Sequence, residues 1–185
     1  MKVNILLCVI ANILVVGPAF AGDPIIPDNR LTPGPTDPKV NNSNICAHNW
    51  GRGAPPVAGN GNYTYSKAAR ETPQSVKEEA FARYGITDPH DGGQSYEVDH
   101  RVPLSLGGLD VVDNLWPETR TATKWNAYVK DRLELRIWKM VCEPEEGQNP
   151  LSLKEAQDVF KGSWIEKYPT YCKTTDACPP YHPRD

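Results

Sequence analysis

Tyr96-Glu97-Val98-Asp99-His100-Arg101-Val102-Pro103, followed across Gly107-Gly108 by Asn114-Leu115-Trp116-Pro117-Glu118, constrains this chain more than any other stretch. Tyr96-Glu97-Val98 alternates and favours β structure, and Pro103 stops a strand from continuing as an inner one. The stretch therefore predicts two short strands joined by a tight connection. In a regular strand Asp99 and His100 point to opposite faces, so they can serve one site only where the strand ends or bends at them. A carboxylate is a hard oxygen ligand suited to Mg²⁺ or Mn²⁺, and an imidazole exchanges a proton near pH 7. Hydrolysis of a phosphodiester asks for both: a base that activates water and a cation that steadies the leaving oxygen.

The start of the chain predicts export. Lys2 gives a positive n-region, Ile5 to Val16 an apolar h-region, and Ala19-Phe20-Ala21 a small-x-small cleavage pattern. Asn12 and Gly17-Pro18 interrupt the run, which is too short for a spanning helix. Cleavage after Ala21 leaves about 164 residues, enough for one domain with its own core, and a secreted or periplasmic protein with no membrane contact. Cys46, Cys142, Cys172 and Cys178 remain, an even count that implies two disulfides in an oxidising compartment. Four cysteines allow three pairings. Spacing favours Cys172 with Cys178, leaving Cys46 with Cys142 as a long-range staple worth about 2–5 kcal/mol.

Residues 22–43 carry Pro24, Pro27, Pro33, Pro35 and Pro38 with few large apolar side chains, and predict an extended arm over the surface. Residues 44–185 then form the single domain. Ile45-Cys46 opens a short anchored element, His48 reads as structural, and 52–62 is a Gly/Pro-rich loop. A helix is expected from Thr72 to Tyr84, with Pro73 at its first position and Gly85 as its stop; Val76, Ala80, Phe81 and Tyr84 mark its buried side. His90 falls in an exposed, turn-rich loop. A further helix is expected over 123–141, with Trp125, Val129, Leu133, Ile137 and Met140 or Val141 as an apolar stripe under the strands. Asn126, Lys130 and Glu134 recur on a neighbouring polar face. A last helix, 152–168, opens with a Ser152-x-x-Glu155 capping box and stops at Pro169.

With these residues in place, Glu97-Val98-Asp99-His100-Arg101-Val102-Pro103, Gly107-Gly108 and Asn114-Leu115-Trp116-Pro117-Glu118 together resemble the HNH endonuclease family. Asn126 through Glu134, Val141-Cys142 and Thr32-Pro33-Gly34 resemble its small secreted bacterial subset. The resemblance implies an α+β, mostly helical, disulfide-stapled fold whose ββα-metal core spans about 96–134. It implies His100 as general base, Asp99 as first metal ligand and Asn114 as the brace of the hairpin. Asn126 becomes the candidate second metal ligand, and Lys130 the candidate phosphate contact. If Asn126 does not serve, Tyr128 stands where relatives carry His, which would leave a weaker or incomplete metal site. Arg101 is open between a substrate contact and a salt bridge to Glu97 or Glu118.

The function implied is a metal-dependent endonuclease of low sequence specificity, acting on DNA before RNA, with Mg²⁺ as first-choice cation and Mn²⁺, Ni²⁺ or Zn²⁺ as alternatives. A monomer is expected, and an immunity or inhibitor protein is not derivable from one chain. Formal charge argues for restraint: −3 overall, where nucleic-acid binders usually carry a basic excess. Between Thr119 and Met140, however, six basic residues face two acidic ones. The competing reading is an inactive HNH-like scaffold that binds a protein or polyanion, with Asp99–His100 a surface pair and Asn126 and Lys130 on a solvated helix face.

Overall fold

The computed structural model describes residues 24–46, 70–172 and 178. The leader and its cleavage point, His48, the 52–62 loop and the end of the chain lie outside them. In order, the elements are α1 (Asn42–Cys46), α2 (Gln74–Arg83), β1 (Tyr96–His100), β2 (Leu115–Thr119), α3 (Ala127–Cys142), α4 (Leu153–Lys161) and α5 (Trp164–Tyr171). The described residues thus form an α+β fold with a two-stranded antiparallel hairpin followed by a long helix. None of their helices is long and apolar enough to cross a membrane.

The hairpin register pairs Glu97 with Glu118, Asp99 with Trp116 and His100 with Leu115. β1 stops at His100, just before Pro103, which lacks the N–H a continued ladder needs. Pro117 is tolerated opposite Val98 because a two-stranded ribbon leaves an outer edge on each strand. The connection is two single-turn 3₁₀ segments, Leu104–Leu106 and Val112–Asn114. Between them Gly107 takes a left-handed φ of 81°. Gly108 lies so close to the preceding strand that a Cβ there would sit 1.9 Å from the Val102 carbonyl oxygen.

α3 starts later than the expected 123 because Asn126 caps it: its side-chain oxygen accepts from the Val129 N–H at 3.2 Å. The stripe of Val129, Leu133, Ile137 and Val141 is buried as expected. Its partners differ, though, since α3 packs mainly on α1, α4 and α5 and not under the strands. Phe160, Trp164 and Tyr168 share that core, and Trp125 meets Trp164 and Tyr168 edge-on at 5.9 and 5.3 Å. The side of α3 nearest the hairpin carries Lys130 instead, whose ammonium bonds the His100 carbonyl oxygen at 2.9 Å.

The expected tail helix is two. The capping box at Ser152 and Glu155 is present, but α4 ends at Gly162, and Ser163 starts α5 by accepting from the Glu166 N–H at 3.3 Å. Pro169 lies inside α5. α2 starts at Gln74, one residue after Pro73, and Gly85 turns away with φ 64°.

The Pro-rich segment is no loose arm. Thr32 is fully buried and Thr36 bridges Gly108. Gly34 N–H donates to the Asp113 carbonyl at 3.0 Å, and Leu109 N–H to the Pro35 carbonyl at 3.0 Å. Prolines lack N–H groups, but the carbonyls and remaining amides of the segment pair with the strand connection. Cys46 pairs with Cys142, tying α1 to the end of α3 across 96 residues, and Cys172 pairs with Cys178. Cα–Cα separations of 5.1 and 5.2 Å suit both disulfides.

Candidate functional site

Asn114 is the keystone of the strand connection. Its side-chain oxygen accepts from the Val102 N–H at 2.9 Å, while its amide donates to the Val102 and Leu109 carbonyls at 2.9 and 2.8 Å. The side chain is fully buried, so three backbone groups that water cannot reach find their partners there. This geometry fixes where β1 ends and where the loop residue Asp110 stands.

Asp110 is the partner of His100. The imidazole Nε2 lies 2.7 Å from the Asp110 carboxylate, and both side chains are almost wholly buried. Asp110 is held in turn by the Thr72 hydroxyl and the Glu71 N–H at the entry to α2. Burial opposes its ionisation, but the bonds from His100 and Thr72 win and keep its carboxyl well below the usual range. An ionised Asp110 accepts from Nε2–H, which leaves Nδ1 as the basic nitrogen of the ring.

Asp99 belongs to a different set. Alternation along β1 and the hairpin register put Glu97, Asp99 and Glu118 on one face, and one oxygen of each lies within 4.8 Å of the others. Lys130, wholly buried, reaches this cluster from α3, bonding Asp99 and Glu134 and standing 3.9 Å from Glu118. Arg120 closes the outer edge at 2.5 Å from Glu97. Glu118 is 1 % exposed, and its carboxyl shares a hydrogen bond with Asp99, which favours the neutral form of Glu118.

The electrostatics follow from burial and from one shared cation. Burial disfavours ionised Asp99, but Lys130 outweighs it and holds that carboxyl well below its ordinary value. Burial pulls the ammonium of Lys130 down, and Asp99, Glu134 and Glu118 more than reverse this. With Lys130 shared out, burial dominates elsewhere: Glu118 is pushed well up, Glu134 up to about 7, and Asp131, beside Glu134, up to about 9. Glu97 rises too, through burial and the charge of Asp99, against the pull of Arg120.

Several expected roles change in this setting. Asn126 spends both polar atoms at the start of α3, the oxygen on the Val129 N–H and the amide on the Ala122 carbonyl at 2.9 Å. As oriented, it offers no donor to a cation at Asp99. Tyr128 is half exposed, beneath the Arg120 guanidinium at 5.7 Å from the ring centre. Lys130 faces carboxylates inside the protein, so a phosphate contact would require it to leave them. Arg101 is 2 % exposed and bonds neither Glu97 nor Glu118; it donates to the carbonyls of Thr32, Phe160 and Lys161 and ties the N-terminal segment to α4. The basic stretch 119–140 is largely spent as well, with Arg120 on Glu97, Lys130 buried and Arg136 on Glu145 at 3.2 Å.

A cleft of about 610 Å³ opens between α2 and β1. Its wall includes Thr72, which holds Asp110, and Glu97 of the acidic cluster, with Arg70, Lys77 and His90 also facing it. His90 is exposed and lies 3.4 Å from Asp88. No protein-family model matches the chain, and neither a curated protein nor a solved structure does.

Asp110 escaped the sequence reading because nothing in Leu109-Asp110-Val111-Val112-Asp113 separates it from Asp113, which pairs with Arg83. Glu97 and Glu118 did carry a signal. Two-residue spacing puts Glu97 and Asp99 on one face, and a hairpin closed at Asn114 brings Glu118 opposite.

Proposed function

We propose that this chain is a metal-dependent phosphodiester hydrolase of the HNH type, an endonuclease acting on DNA before RNA with low sequence specificity. The observation that carries this reading is the buried His100–Asp110 pair at the end of a strand whose preceding residue, Asp99, enters an acidic cluster. A base and a cation-seeking group thus leave adjacent backbone positions in opposite directions, as a substrate passing the strand end requires. The order β1, β2, α3, with Asn114 bracing the connection, supports the same reading.

In this mechanism His100 accepts a proton from the attacking water at Nδ1, while Asp110 fixes the ring and stabilises the imidazolium. Asp110 is therefore a positioning residue. Asp99 would hold a divalent cation, which would supply Lewis-acid stabilisation of the phosphate charge. Lys130 keeps Asp99 ionised and ready as a ligand. The cleft along β1 carries Arg70 and Lys77 on its wall, beside Asp88, Asp91 and Glu97.

One observation favours a second reading. His100 is 2 % exposed and Lys130 already neutralises Asp99, which suits a scaffold that binds a polyanion without cleaving it. Plasmid nicking with Mg²⁺, Mn²⁺ or Ni²⁺, with and without chelator, separates the two. The hydrolase reading expects cation-dependent nicking that is lost in His100→Ala while plasmid binding persists. Asp110→Asn should lower the rate and distort its pH profile. Absence of nicking under all three cations, or full activity in His100→Ala, rejects it.

A further inference from the structure

We propose that Thr72, at the entry to α2, is a positioning residue for His100. Its hydroxyl holds the Asp110 carboxylate in the orientation that keeps the imidazole proton on Nε2 and leaves Nδ1 free as the base. The inference rests on the hydrolase reading for what His100 does, and it extends the machinery of that reading to an element outside the 96–134 core.

Three observations carry it. First, both oxygens of Asp110 are engaged: Oδ1 accepts from His100 Nε2 at 2.7 Å and from the Thr72 hydroxyl, and Oδ2 accepts from the Glu71 N–H. A carboxylate gripped at both oxygens cannot turn about its Cβ–Cγ bond without breaking one of these bonds. Second, Thr72 does not spend its hydroxyl locally. A threonine ahead of a helix ordinarily caps it by accepting from an N–H of the first turn. Here the cap position falls to Pro73, which has no acceptor in its side chain, and the Thr72 hydroxyl donates to a residue 38 positions away. Third, water does not orient the pair, because the side chains of His100 and Asp110 are only 3 % and 7 % exposed. Asp110 stands in the irregular connection between the two 3₁₀ turns, so protein groups must hold it. Arg83, the last residue of α2, bonds Asp113 of the same connection at 2.7 Å, so the helix grips that connection from both of its ends.

What the hydroxyl decides is a tautomer. A neutral imidazole carries one proton, and the hydrogen bonds of the ring set which nitrogen keeps it. Asp110 held toward Nε2 keeps the proton there, and the lone pair stays on Nδ1. A carboxylate free to swing away would let the proton distribute over both nitrogens. Thr72 also stands on the wall of the cleft between α2 and β1, where its side chain separates the buried pair from the open side. Thr72→Val therefore removes the donor while keeping the shape that excludes water, and Thr72→Ser keeps the donor.

The test is ¹⁵N NMR of the ring nitrogens in the chelator-treated full chain, at alkaline pH where imidazoles are neutral; the chain has four histidines, few enough to resolve. The wild type should show His100 as the Nε2–H tautomer with a slowly exchanging proton, and Thr72→Ser should match it. Thr72→Val should show a mixture of tautomers and exchange of that proton faster by about tenfold. Gln74→Ala, which alters the same cleft wall, should leave the His100 signals unchanged. An Nδ1–H ring in the wild type overturns the assignment without any variant having to fold. So does a Thr72→Val spectrum like the wild type, or a Gln74→Ala spectrum like that of Thr72→Val. In plasmid nicking with Mg²⁺ or Mn²⁺, Thr72→Val should lower kcat about three- to tenfold with KM within about twofold, and Thr72→Ser should retain the wild-type rate. A change in KM alone, or an unchanged kcat, also overturns the positioning role. A wild type that shows the expected tautomers and does not nick refutes the hydrolase and leaves the hold of Thr72 on the ring; nicking with a tautomer indifferent to Thr72 refutes that hold and leaves the hydrolase.

Discussion

Lys130→Met keeps the length and most of the volume of a wholly buried side chain and removes its charge, so it isolates what the ammonium does. Lys130 holds Asp99 and Glu134 from α3 and bonds the His100 carbonyl at 2.9 Å. Stripping one partner from a buried ion pair costs about 3–5 kcal/mol. The pH dependence follows from Asp99. In the wild type its folded pKa lies below its unfolded value, so its contribution is present above about pH 4 and lost as pH falls. Without the ammonium, burial is left as the main influence and pushes Asp99 upward, against the hydrogen bond from Glu118. Its contribution then holds only at low pH and is lost as pH rises. Urea unfolding of both proteins, chelator-treated, should therefore show a deficit of about 1 kcal/mol or less near pH 4 that grows to about 3–5 kcal/mol at pH 8. A deficit that is small at pH 8, or equal at both pH values, refutes the charged, buried role of Lys130.

Further outcomes can be read from the same structure. Glu134 and Asp131 have folded pKa values raised to about 7 and about 9, so their contributions are full below about pH 4 and lost as pH rises through those values. The urea midpoint of the chelator-treated protein should fall from pH 5 to pH 9, and Glu134→Gln should flatten the early part of that slope. Gly108→Ala forces a Cβ onto the Val102 carbonyl and should cost about 4 kcal/mol or more, seen as little folded protein by circular dichroism; a thermal midpoint near wild type would contradict the packing. Asn114→Ala leaves the buried Val102 N–H unpaired and should cost about 3 kcal/mol in urea, with His100 chemistry disturbed through Asp110. In oxidised protein, Cys46→Ala releases α1 from α3 and should cost about 2–5 kcal/mol, whereas a loss near zero would mean that the staple adds nothing.

How far the site was legible in the sequence depended on how locally each role is decided. The role of Asn114 was legible through the resemblance to the HNH family, and its bonds to the Val102 and Leu109 backbone agree with it. Those of Asn126 and Lys130 were not: a four-residue spacing says that two positions share a helical face, but not whether the first one caps the helix or whether the face meets water. Arg101 likewise carried no local sign that it would reach carbonyls about 60 residues away on α4.

By itself the sequence determined the strand pair with its Gly-Gly connection, the apolar stripe of the helix after it, the capping box at Ser152 and the presence of two disulfides, whose pairing it favoured by spacing and the structure decided. Each rests on short-range periodicity, backbone chemistry or simple spacing. Only tertiary structure decided that the Pro-rich segment is sewn to the hairpin and that Asp110 turns toward His100. It also decided that Glu97, Asp99 and Glu118 face one buried volume with a single lysine between them and α3. The physical reason is that burial and through-space charge set those roles, and both depend on which distant elements close over a residue.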